Sequence, residues 1–294
     1  MKIFVTGATG FIGSAIVAEL LATGHQVLGL TRSDSGAQAL LAAGAEAHHG
    51  DIEDAASLRR GADQADGVIH CAFDHDFSNF VANCAKDGRV IAALGDALRG
   101  SSRPLLITSG VAMGSVAGAP ADEDEFDADH PHPRAASERA GAALLDAGIN
   151  VGVMRLPQVH DTRKQGLITP LVELARDKGV SAFVGEGLNG WSAAHRLDVA
   201  RAYRLALEKQ QPGARYNAVA EAGIAMRDIA RAVGQGLNVP VVSLTAEQVP
   251  AHFGWMALFA DADMSASSAK TRQRLGWQPT GPGLIEDLLA MRYS

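Results

Sequence analysis

The chain has 294 residues, of which 47% are hydrophobic and 20% charged, with a formal net charge of −7. That composition excludes a disordered or collagen-like chain, and the acidic balance argues against a nucleic-acid backbone as the main partner. Cys71 and Cys84, the two cysteines, form no paired framework and no Cys-x-x-Cys motif, so neither a disulfide scaffold nor a zinc site of that kind is expected.

The length fits one large domain or two sharing a core. The opening MKIFVTGATG reads as a strand rather than as a charged segment before a long apolar run, and no stretch is apolar enough to span a membrane. The expectation is a cytoplasmic protein.

Residues 2–6 (KIFVT) predict a short buried strand. Ile12, Ile16, Val17, Leu20 and Leu21 recur at helical spacing over 11–23, and Gly24 follows as a stop. A second strand is expected over 26–31 and a helix over 35–43, closed by Gly44. A third strand near 45–48 leads into Gly50-Asp51, and a fourth covers 66–72 (DGVIHCA). An Ala-rich helix follows over about 77–99, then strands at 104–108 and 149–154. Strands alternating with helices imply α/β architecture: a doubly wound parallel sheet covered on both faces. Segment 114–133, with three prolines and a dense acidic run, reads as a solvated surface loop. Beyond residue 156 the pattern loosens. Amphipathic helices are expected at 197–208 and 225–237, a strand at 239–244, and helical stretches near 246–260, 266–275 and 283–292. This predicts a nucleotide-binding core of residues 1–158 and 197–219. A smaller substrate lobe, 159–196 and 220–294, lies over its carboxyl edge.

The strongest motif is TGATGFIG, residues 6–13. Gly7 permits the tight turn, Gly10 lets a pyrophosphate approach the backbone, and Gly13 lets the helix pack on the sheet. The helix start, with Thr9, Phe11 and Ile12, offers free N–H groups and the positive end of a dipole. The second strand ends at Thr31, where an NAD site usually carries a carboxylate for the ribose 2′-hydroxyl. Arg32 and Ser33 follow. A guanidinium suits a 2′-phosphate, so NADP is expected over NAD, although Asp34 remains available to a ribose. Asp51 and Ile52 stand where an adenine edge would lie, Asp51 either accepting from its amino group or capping the next helix.

These residues resemble an extended short-chain dehydrogenase/reductase, the NAD-dependent epimerase/dehydratase-like family, with a Rossmann core. TGATGFIG matches that family's TGxxGxxG, and Gly50-Asp51-Ile52 its adenine-side segment. His70-Cys71-Ala72 resembles the segment under the cofactor, which places Cys71 and Ala72 there. Thr108-Ser109-Gly110 resembles the strand end that supplies a catalytic hydroxyl, and counting back from Gly114 selects Ser109. Arg155-Leu156-Pro157-Gln158 resembles the segment passing the nicotinamide, and His195 to Ala200 the segment that re-enters the core. The resemblance covers nearly the whole chain, with one departure. The family's Tyr-x-x-x-Lys helix here reads Pro133-Arg134-Ala135-Ala136-Ser137-Glu138-Arg139, without Tyr or Lys. The chain is thus similar to atypical members. Arg139 is expected at the Lys position, on the nicotinamide ribose. The resemblance also implies a homodimer through the helices at about 77–99 and 134–147.

Hydride transfer to a carbonyl needs a hydrogen-bond donor at the oxygen and eventually a proton. Ser109 is the expected donor. His160, which follows the nicotinamide segment, is the expected acid, ahead of His195, His75, His130 and His132. Phe73, Met113, Asn189, Trp191 and His195 are expected to line a mainly apolar substrate pocket, with Phe253 and Trp255 either nearby or in the core. No His, Asp or Glu cluster has metal-ligand spacing. The resulting expectation is NADPH-dependent reduction of a small, mainly apolar carbonyl or related unsaturated substrate. The alternative is a non-catalytic NADP-binding redox sensor. An epimerase or dehydratase would need the base that this helix lacks.

Overall fold

The computed structural model describes residues 1–115 and 118–293. Val116 and Ala117, inside the expected loop 114–133, and Ser294 lie outside the described residues. The first half alternates strand and helix: β1 (Lys2–Thr6), α1 (Phe11–Ala22), β2 (Gln26–Thr31), α2 (Asp34–Ala42), β3 (Glu46–His49), α3 (Ala55–Asp63), β4 (Gly67–His70), α4 (Phe80–Ala97), β5 (Leu105–Gly110), α5 (Ala135–Asp146) and β6 (Val151–Leu156). Then come β7 (Gln158–His160), α6 (Ile168–Lys178), β8 (Ser181–Val184), β9 (Gly190–His195), α7 (Arg196–Lys209), β10 (Arg215–Asn217), β11 (Glu221–Ala225), α8 (Met226–Leu237) and β12 (Val241–Leu244). Four short helices close the chain: α9 (Val249–Phe253), α10 (Ala257–Ala260), α11 (Ala269–Leu275) and α12 (Leu284–Ala290).

Seven parallel strands form the main sheet in the order β10-β6-β5-β4-β1-β2-β3. Because side chains alternate along each strand, one face carries Ile3, Val5, Leu106 and Met154 against α1 and α7. The other carries Phe4, Val68, Leu105 and Ile107 against α3, α4 and α5. Burial on both faces explains the near-continuous apolar strands. The strand order reverses between β1 and β4, the switch point where a doubly wound sheet opens its ligand crevice.

The α3 helix, AASLRRGAD, buries Ser57, Leu58, Gly61 and Ala62. With one large apolar residue it has no readable apolar stripe. The expected helix near 246–260 is broken: Gly254, at φ +55°, separates α9 from the 3-10 turn that precedes α10. The lobe holds a three-stranded sheet, β11-β9-β7, and a pair, β12-β8. Its tail divides. Trp277, just past α11, is buried in the main core and donates to the Asp198 carbonyl at 2.9 Å, whereas α12 packs on α8 and β9 in the lobe. No helix among the described residues is long and apolar enough to cross a membrane.

Candidate active site at the switch point

The turn from β1 into α1 is pressed against the segment after β4. Gly7 adopts φ +69°, and a Cβ there would lie 2.8 Å from the Ala72 nitrogen. A Cβ on Gly13 would collide with the Gly7 carbonyl. Gly10 differs: a Cβ would approach only the Gly7 carbonyl, at 3.2 Å. Gly10 is also the N-cap of α1 and supplies no side-chain cap, so the first-turn N–H groups have no intrahelical acceptor. This open, uncapped helix start fits a dinucleotide pyrophosphate. Two cations flank it without any sequence signal: Lys164 Nζ lies 5.9 Å and Arg196 Cζ 5.4 Å from the Phe11 ring. Cys71 is not a nucleophile here, because burial pushes its thiol up to about 11.

On the adenine side, Thr31 is buried and Arg32 projects outward, 80% exposed, with Nη1 3.9 Å from Asp51 Oδ2. Ser33 caps α2, its hydroxyl accepting from Gly36 N at 3.1 Å, and Asp34 stands in that helix's first turn. Asp51 is not the cap of α3. It accepts from Glu53 N at 2.9 Å, and Asp54 does the capping. Ile52 packs against the core beneath.

At the reactive end, Ser109 is 3% exposed, and its hydroxyl has no hydrogen-bond partner among the described residues. Beside it lies a network with no sequence signal. Arg134, immediately before α5, donates from Nη2 to the Thr108 carbonyl at 2.8 Å. Its Nη1 donates to Asp87 Oδ2 at 2.6 Å and to Ser137 Oγ, and its guanidinium lies 4.3 Å over the Phe73 ring. Asp87 Oδ1 meets His70 Nε2 at 3.0 Å, and His70 Nδ1 meets Thr6 Oγ1 at 2.7 Å. Burial alone would raise the Asp87 carboxyl, but Arg134 and the bond to His70 hold it well below the usual carboxylate range.

Arg139 does not take the Lys position. It is exposed and donates to the Ala128 carbonyl at 3.1 Å. Arg134 and Glu138, four residues apart, are the pair that faces inward, bonded to Asp87 and to Arg155, and Arg139, one helical step of about 100° beyond Glu138, turns outward. Glu138 is enclosed with Arg155, at 2.8 Å from Nε, and with Arg215, at 3.0 Å.

His160 is fully buried. Its Nδ1 meets Asp287 Oδ2 at 2.7 Å, and its ring stands edge-on to His195 at 5.8 Å. Its Nδ1 bond ties α12 to the small sheet through β7, and its Nε2 has no hydrogen-bond partner among the described residues. His195 caps α7 through Leu197 N. Trp191 is likewise no pocket wall: it is fully buried in the lobe core and donates to the Ala262 carbonyl at 3.2 Å. Asn189 is spent on the Ala260 and Ala262 carbonyls, and Met113 is buried. Leu156 and Pro157 stay half-buried at the end of β6, while Gln158 Oε1 accepts from Leu167 N. Phe253 is core and Trp255 half exposed. An aromatic and imidazole wall stands beside Arg134; it joins Phe73, His75, His130 and His132, which the sequence singled out, with Phe80, which it did not. Phe73 meets His75 at 5.4 Å, Phe80 meets His132 at 5.7 Å, and His130 meets His132 at 6.3 Å. No group of three potential metal ligands occurs among the described residues.

Burial lowers the pKa of His75, His132 and His160, and neighbouring cations add to this at the first two. Each folded pKa lies below its unfolded value of about 6.5. The unfolded chain therefore binds protons first on acidification, and stability falls as pH drops through that value. We expect the melting temperature to be level from pH 8 to 7 and to fall between pH 6.5 and 5. A level profile down to pH 5 would contradict this.

The pattern of the NAD dependent epimerase/dehydratase family matches residues 3–219. The chain is 44% identical over 294 residues to the Schizosaccharomyces pombe protein C2A9.02, covering 100% of both. It is 32% identical over 228 residues to the 2-alkyl-3-oxoalkanoate reductase of Stenotrophomonas maltophilia, spanning 73% of this chain and 67% of that one. Among solved structures, DesIV, a dTDP-glucose 4,6-dehydratase from Streptomyces venezuelae with NAD and TYD bound, superposes with a TM-score of 0.78 at 20% identity. It covers 99% of this chain and 95% of its own, a likeness of fold.

Proposed function

Since the chain belongs to the NAD dependent epimerase/dehydratase family, we propose that it is a cytoplasmic NADP-dependent oxidoreductase reducing the carbonyl of a small, mainly apolar substrate. The observation that carries this reading is the Ser109 hydroxyl, buried without a partner among the described residues at the end of β5, on the edge of the sheet where the crevice opens. A buried donor left unpaired is unfavourable unless a ligand completes it. When bound, the cofactor supplies a hydride from its nicotinamide.

In this mechanism the α1 N–H groups would hold the pyrophosphate, with Lys164 and Arg196 adding positive charge beside it. As the carbonyl is reduced, its π pair moves onto oxygen. Ser109 donates to that oxygen as the charge develops, and a solvent proton completes the alcohol. Arg134 keeps its charge throughout and gives up no proton. The reductase relative has the same reaction class in its name. Exposed Ala82, Ala85, Ala92 and Ala143 on the outer faces of α4 and α5 support a homodimer through those helices.

The test is NADPH oxidation with a panel of aldehydes, ketones and oxo acids, run beside sugar nucleotides. Steady oxidation with a carbonyl supports the reading. Conversion of UDP-glucose at constant NADPH would replace it with epimerisation. Tight NADPH binding with no turnover would replace it with the sensor, which the missing Tyr and Lys favour.

Cofactor choice has its own test. Arg32 is free to fork onto a 2′-phosphate, because its contact with Asp51, at 3.9 Å, is long. A charged hydrogen bond contributes about 1.5–3 kcal/mol. Arg32→Ala is expected to weaken NADPH roughly 10-fold or more and leave NADH nearly unchanged in a fluorescence titration. Equal losses for both would assign Arg32 to the surface.

A further inference from the structure

We infer that Arg134 is an anion receptor and that the substrate is an oxo acid, its carboxylate held by that guanidinium beside the carbonyl to be reduced. The inference deepens the reductase reading and rests on it for the reaction, though not for the binding.

Three of the five N–H bonds of Arg134 have acceptors among the described residues: Asp87, Ser137 and the Thr108 carbonyl. Nε and one hydrogen of Nη2 remain, and 13% of the side chain stays exposed. The guanidinium is pinned along one edge by those acceptors and across its face by Phe73. Its free donors are thus already oriented, so binding costs little side-chain entropy. Two coplanar N–H groups match the two oxygens of a carboxylate.

The surroundings reinforce this. In a chain of net charge −7, two fixed cations, Arg134 and Lys164, lie close enough to His75 to lower its pKa, and Asp87 and Asp74 are already engaged, with Arg134 and with Lys86 at 3.0 Å. Arg134 is bonded to the carbonyl of Thr108, the residue before Ser109. A carbonyl at Ser109 and a carboxylate at Arg134 would then be neighbours on one short substrate, which suits a 2-oxo or 3-oxo acid. Phe73 and Phe80 make the adjoining wall apolar, which suits an alkyl body.

The experiment compares 2-oxo- and 3-oxohexanoate with their methyl esters by kcat/KM, and follows binding of hexanoate and hexanamide to the NADPH complex by thermal shift. The wild type is expected to prefer one of the acids over its ester roughly 10- to 100-fold, the range for one charged hydrogen-bonding contact. Hexanoate should stabilise the complex where hexanamide does not. In Arg134→Lys the acid preference should shrink, and in Arg134→Gln it should approach unity. Esters reduced as well as acids, or a preference that survives Arg134→Gln, would overturn the inference. Should both variants fail to fold, the wild-type acid-to-ester ratio and the hexanoate comparison still decide. Hexanoate binding without NADPH oxidation by any substrate would keep the receptor and discard the reductase.

Discussion

Glu138→Ala is expected to destabilise the chain by about 3–5 kcal/mol, the cost of removing one partner from a buried ion pair. The carboxylate and the Arg155 side chain are both fully enclosed. Glu138 accepts from Arg155 Nε at 2.8 Å and Nη2 at 2.9 Å, and from Arg215 Nε at 3.0 Å. Removal leaves a guanidinium buried with carbonyl acceptors but no counter-charge. The usual rescue, two apolar residues in place of the pair, should fail. Arg155 also donates to the carbonyls of Asp122 at 2.9 Å and Glu125 at 2.7 Å, so it anchors the acidic loop to β6. Arg155→Met should then cost at least as much as Glu138→Ala, and the double variant should recover little. Chemical denaturation of the three variants measures this. A loss below about 1 kcal/mol for Glu138→Ala would mean that water reaches the pair on loop relaxation.

The same pair shows where sequence patterns stop. Six of the seven parallel strands, β1 to β6, were legible because most are continuously apolar and several are bounded by glycines, whereas β10, three residues long, was not. TGATGFIG was legible because all of its determinants are local. Ser109 was singled out by the family resemblance and by counting back from Gly114, just past β5. Arg134 was not legible: its acceptors Asp87 and Thr108 lie 47 and 26 residues away, and an arginine at a helix start otherwise reads as a surface charge. The pairing of His160 was not legible for the same reason, since its partner Asp287 is 127 residues distant. Trp191 looked like a pocket aromatic because a Gly-rich loop precedes it, yet β9 is buried along nearly its whole length. In the lobe, strands of three to six residues pair across long separations, too short for period-two alternation to stand out.

Ser109→Ala should lower turnover roughly 10²-fold, the lower end for deleting one donor to a developing oxyanion. Folding should respond in the opposite sense or not at all. The hydroxyl has no partner among the described residues, so its removal breaks no bond and relieves an unpaired buried group. NADPH affinity should hold, because the pyrophosphate cradle is at the far end of the crevice, on α1. The combination separates a catalytic donor from a structural one. A structural hydroxyl would lose melting temperature along with activity, whereas Ser109 should lose activity alone. The loss should fall on kcat as well as on kcat/KM, because the hydrogen bond strengthens as charge builds on the oxygen. Ser109→Thr, which keeps the hydroxyl, should recover part of the rate if the enclosed site admits the extra methyl. Full turnover in Ser109→Ala would move the oxyanion donor to the free N–H groups of Arg134.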